Sequence, residues 1–179
     1  MKDKMKNSAN ERFRHVLIPA LLSGIGTNLY IFTVLILAEA SNVIWSPILG
    51  TILFCIGLFF LYKGGKFIKF IFLFTVLTVS IEIIIHTHFL GLNTGFFYFY
   101  ILLPAVFLLY SSWKLWMTIF FNLSILLVAS LTFYVYFEAV GVYNMNLKFS
   151  NTVYFINASG TGFILIFILS YFSRTINKK

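Results

Sequence analysis

Residues 67–89 read FIKFIFLFTVLTVSIEIIIHTHF. A membrane-crossing helix needs about 20 predominantly apolar residues, and this stretch supplies them with one lysine near its start. Barrel strands would alternate apolar and polar residues, which this run does not. Lipid leaves only helices and closed barrels as spanning structures, so the reading is a transmembrane helix. Its last third is unusual, because Glu82, His86 and His88 sit among Ile and Phe.

The rest of the chain repeats the pattern. Further apolar runs cover about residues 15–38, 44–62, 96–110, 115–137 and 152–172, giving six spans in all. Of the 179 residues, 60% are hydrophobic and 10% charged, against about 25% charged in a soluble domain. No polar stretch is long enough for a soluble domain. The expected fold is all-α: a polytopic membrane protein, a six-helix bundle with short loops. Residues 1–14 form a basic arm, 15–172 the transmembrane domain, and 173–179 a tail that could begin a signalling helix. The first apolar run is too long for a signal-peptide core and no cleavage site follows it. Pro19, Pro47 and Pro104 are expected near helix ends, where a missing N–H costs little.

Basic residues set the orientation. With six spans, one side of the membrane holds Lys2, Lys4, Lys6, Arg12, Arg14, Lys63, Lys66, Lys69, Lys114, Arg174, Lys178 and Lys179. The other side holds Lys148 alone. The positive-inside rule then puts both termini in the cytoplasm. The net charge of +8 is accounted for by this asymmetry and by anionic headgroups, so nucleic acid is not an expected partner and the lipid bilayer is.

Polar chemistry inside the spans is sparse. Asp3 and Glu11 lie in the arm, whereas Glu39, Glu82 and Glu138 lie toward the outer side. Glu82 and His86 are four residues apart, one turn on one helix face. Glu82 lies roughly 10 Å below the end of its helix. A charge facing lipid there would cost about 2.5–3.5 kcal/mol or more, so Glu82 is expected to face the bundle interior, in contact with His86. Three readings stay open: a structural tie between helices, a binding or sensing site at Glu82, His86, His88 and Tyr98, or a metal site. Zinc wants three or four protein ligands, which Glu82, His86 and His88 would supply with Glu39 or Glu138. A haem on His86 is chemically possible too. Asn28, Asn122 and Asn157 read as interhelical hydrogen-bonding residues, and Cys55 as a buried, inert thiol. No nucleophile–base arrangement points to an enzyme.

Residues 82–104 also carry a resemblance: Glu82, His86 four residues on, Gly91, Gly95-Phe96, Tyr98, Tyr100 and Pro104. This pattern resembles the six-helix membrane sensor modules (MASE-like) of bacterial adenylate/guanylate and diguanylate cyclases. The resemblance implies a multi-pass sensor of the bacterial inner membrane, working as a homodimer. It implies a signal passed through the sixth helix to a cytoplasmic cyclase-type effector outside this chain. The alternative is a small transporter or channel with Glu82 as proton or cation relay, for which the inner half of the bundle offers few polar groups.

Overall fold

The computed structural model describes the backbone of residues 2–63, 67–109, 114–137, 141–143 and 145–176. The described residues form helices joined by short turns and no strands. In chain order these are α1 (Lys2–Leu37), α2 (Trp45–Lys63), α3 (Ile68–Leu90), α4 (Leu102–Leu109), α5 (Leu115–Tyr136) and α6 (Leu147–Ile176), with 3-10 turns at Ser41–Val43, Leu92–Thr94 and Phe96–Ile101. All but α4 contain stretches long and apolar enough to cross a membrane, five in total among the described residues. This is a multi-pass membrane protein by length and composition. Large apolar side chains such as Leu29, Ile52, Phe70, Leu77, Leu123 and Phe163 point outward, an arrangement suited to lipid.

Four details refine the sequence reading. The arm is helical from Lys2 and continuous with the first span, because no Gly or Pro breaks residues 2–14. Pro19 therefore lies inside α1, well past its first turn. The fourth segment opens as 3-10 helix and becomes α-helix only at Leu102, with Pro104 in the first turn of α4. At about 2.0 Å per residue in the 3-10 part and 1.5 Å in the α part, it reaches roughly 24 Å, somewhat short of a ~30 Å hydrocarbon core. Finally, α6 runs on to Ile176, so most of the expected tail extends the last helix.

The chain divides into two compact units, Met1–Ile85 and His86–Lys179. In the first, α1, α2 and α3 bury matching stripes. Leu17, Leu21, Asn28, Ile31 and Leu35 line α1 at three- and four-residue spacing, and Pro47, Gly50, Phe54, Gly57 and Leu61 line α2. Glycine on these stripes lets the backbones approach. A Cβ at Gly24 would meet the Phe54 ring at 2.7 Å, and Gly57 lies against Leu21 and Ile71. Phe13 and Phe72 close one end edge-to-face, with ring centroids 5.1 Å apart.

Helix α1 ends in a Schellman arrangement. The Ala40 N–H donates to Leu35 O at 2.9 Å and the Glu39 N–H to Ile36 O at 3.0 Å. That places Glu39 in the left-handed region, φ 55°, where glycine is the usual residue. Glu39→Gly is expected to stabilise the protein by about 1 kcal/mol, measurable by denaturant unfolding in detergent micelles.

In the second unit, α6 packs its Ser150, Val153, Asn157 and Thr161 stripe on the 3-10 turns and α4. Helix α5 contributes Ile125, Ala129 and Thr132. The end of α3 is capped from the α5–α6 loop: Val142 N–H donates to His88 O at 3.4 Å and Tyr143 N–H to Phe89 O at 2.9 Å. These are carbonyls that a helix C-terminus leaves without intrahelical partners.

Candidate functional site: a carboxyl between three helices

Glu82 is buried in the first unit, 9% exposed. Its hydrogen bond goes to α1: Asn28 Nδ2 donates to Glu82 Oε1 at 3.1 Å. Asn28 itself is 1% exposed. The third member is Gly50 on α2. A Cβ there would overlap Glu82 Oε1 and approach Asn28 Nδ2 to 2.5 Å. The missing side chain at Gly50 is thus the space that the carboxyl fills. Each of the three helices supplies one component: a donor, a gap and an acceptor.

The expectation that Glu82 faces the interior agrees with this geometry. The hydrogen bond itself goes to Asn28 on α1, a partner other than the His86 expected from the spacing. The i, i+4 rule identifies neighbours on one helix, whereas the partner used here lies 54 residues away. Asn28 thus makes the interhelical hydrogen bond expected of it, with a partner the sequence reading did not name. The available signal was an amide in the middle of an apolar span, together with Gly50 and Gly57 one heptad apart on α2.

The other candidate residues lie in the second unit. His86 is buried, 1% exposed, with its ring centroid 5.3 Å from that of Phe96. His88 is exposed and packs on Phe89 and Tyr136 at 4.8 and 5.5 Å. The Tyr98 hydroxyl meets that of Tyr154 at 2.6 Å, while Tyr100 pairs with Thr132 Oγ1 at 3.3 Å. Gly95, with φ 74°, turns the chain beneath Tyr98 and Tyr154. Asn157 Nδ2 donates to Thr94 O at 2.7 Å, tying α6 to the turn after α3. Asn157 thus takes the interhelical role expected of it, whereas Asn122 donates to Thr118 O within its own helix at 2.8 Å.

Among the described residues, no three His, Cys, Asp or Glu side chains gather in a group that could hold a metal ion. Glu39 is exposed at its helix cap, and Glu138 lies outside the described residues. The donor set that zinc requires is not assembled by the residues described. Cys55 is exposed on α2 rather than buried, as suits an apolar thiol facing lipid.

No family model matches the chain, and neither a curated protein nor a solved structure shows significant similarity to it.

Proposed function

We propose that this chain is the membrane module of a signalling protein of the bacterial inner membrane, with six spans, both termini cytoplasmic, and the buried Glu82 as its sensing group. The observation that carries this reading is a carboxyl held by an uncharged partner at the junction of three helices. A change at such a group alters the packing of all three, because Gly50 leaves it no slack. The same close packing weighs against a solute path past Glu82, and so against the transporter reading. Helix α6, continuous to Ile176, is the natural output element. A cyclase-type effector joined to it would work as a dimer, which makes a homodimer the expected assembly.

The test is to join an adenylate cyclase catalytic domain after residue 179 and a periplasmic enzyme reporter within residues 141–150, in separate fusions. Both reporters are expected to be active, the first only if the C-terminus is cytoplasmic. Cyclase output, graded against external pH, divalent metal and haem, is expected to respond in the wild type and to be fixed in Glu82→Gln at equal membrane levels. Equal responses in both proteins would reduce Glu82 to a structural tie. A C-terminal fusion active only outside would overturn the six-span topology.

A further inference from the structure

We infer that Glu82 holds an exchangeable proton in a neutral acid–amide pair with Asn28, and that the ligand of this site is the proton rather than a metal cation. Three observations converge on this. First, the pair is half complete as drawn by a carboxylate. A carboxylate only accepts hydrogen bonds, and Asn28 Nδ2 donates one to Oε1. Asn28 Oδ1, buried with the rest of its side chain, has no hydrogen-bond partner. A buried acceptor left in this state is costly. A carboxylic acid and a primary amide pair through a ring of two hydrogen bonds: N–H to the acid carbonyl, and acid O–H to the amide carbonyl. The proton on Glu82 is the donor that Oδ1 lacks.

Second, no lysine or arginine among the described residues of these three helices from Phe13 onward lies near the carboxyl. On α1 from Phe13 onward, the titratable side chains are Arg14, His15 and Tyr30. On α2 they are Cys55, Tyr62 and Lys63, and on α3, Lys69, His86 and His88. Arg14, Lys63 and Lys69 each lie 13 or 14 residues from the member of the triad on their own helix, roughly 20 Å at 1.5 Å per residue. Tyr30 is two positions from Asn28, off its face of the helix, and its buried hydroxyl has no hydrogen-bond partner. His86, one turn along α3, is buried against Phe96 and is an imidazole, which carries no permanent charge. A charge buried without a counter-ion is expensive enough that the group neutralises instead.

Third, the site lacks the ligands of a metal ion: among the described residues no three His, Cys, Asp or Glu side chains gather there. Gly50 packs so closely that even a methyl group would overlap the carboxyl, and a bound cation would need several oxygens around it. A proton needs no added volume.

This inference concerns the same carboxyl as the proposed sensing site. Infrared spectroscopy reports the proton whether or not a signalling output exists, so the two readings can fail separately. The full chain in lipid bilayers should show the C=O stretch of a protonated carboxyl at neutral pH. The band should shift in deuterium oxide and on 13C-glutamate labelling. It should be lost in Glu82→Gln and move to higher frequency in Asn28→Leu, where the amide no longer bonds the acid. The combined variant Glu11→Gln, Glu39→Gln, Glu138→Gln leaves Glu82 as the one glutamate and should keep the band, which provides the test even if Glu82→Gln fails to fold. If that combined variant shows carboxylate stretches only, the inference is wrong. A band unchanged by adding sodium, calcium or zinc supports the proton, whereas its replacement by carboxylate bands on metal addition would overturn the assignment.

Discussion

Gly50→Leu is expected to lose most of its folded protein, and Gly50→Ala to unfold about 4 kcal/mol more easily than the wild type. The Cβ of either variant overlaps Glu82 Oε1 and crowds Asn28 Nδ2. The carboxyl must leave its position, which breaks the Asn28 bond and strands buried polar groups on two helices at about 1–3 kcal/mol each. Overpacking adds a further ~1–3 kcal/mol. Glu82→Gln is the control. It keeps the shape of the side chain and an acceptor for Asn28 Nδ2, so its stability should stay within about 1 kcal/mol of the wild type. Gly26, against which a Cβ would meet nothing within 4 Å, should accept alanine without loss. Unfolding in mixed micelles, followed by tryptophan fluorescence, measures all four.

Gly141→Ala is expected to cost about 3 kcal/mol through a different mechanism. Its Cβ would meet Gly91 N and Leu90 C at 2.5 Å each, and Leu90 O at 2.9 Å. All three are backbone atoms at the end of α3, and backbone cannot swing aside as a side chain can. The loop must lift, and the Val142 and Tyr143 bonds to the last carbonyls of α3 go with it, at about 1 kcal/mol or more apiece. Gly91 is the opposing partner. It has φ 83°, a conformation open to glycine, so Gly91→Ala should be similarly costly. Hydrogen exchange should show faster exchange of the Val142 and Tyr143 amides in both variants, while the amides of α2 are unchanged.

The helices were legible in the sequence because lipid imposes a simple rule: every span must be a long apolar run. The boundaries of α2, α3 and α5 follow from where lysine, glycine and polar residues interrupt those runs. Other features were not legible, for physical reasons. The arm before residue 15 is too polar to be counted as span, yet nothing in it stops a helix. Phe96–Ile101 is aromatic and apolar on every face, so no periodicity separates 3-10 from α geometry there. Glu82 was identifiable as a buried acid because a charge against lipid is costly. Its partner was not, because pairing Asn28 with Glu82 depends on the register of α1 against α3, which neither helix encodes alone. Local spacing points to His86, whereas only the packing of α1 against α3 brings in Asn28.

The account rests on Asn28 and Glu82 acting as one unit across the first three helices. A double-mutant cycle tests this most directly: the full chain with Asn28→Leu, Glu82→Leu and both together, each unfolded reversibly in mixed micelles. Hydrogen bonds within membrane proteins average about 0.6 kcal/mol and reach about 1.7. A buried pair with no competing partner belongs near the upper end, so a coupling energy of about 1.5 kcal/mol is expected, with the double variant more stable than the sum of the single losses predicts. Single losses that add to within about 0.3 kcal/mol, as they do for independent sites, would contradict the pairing.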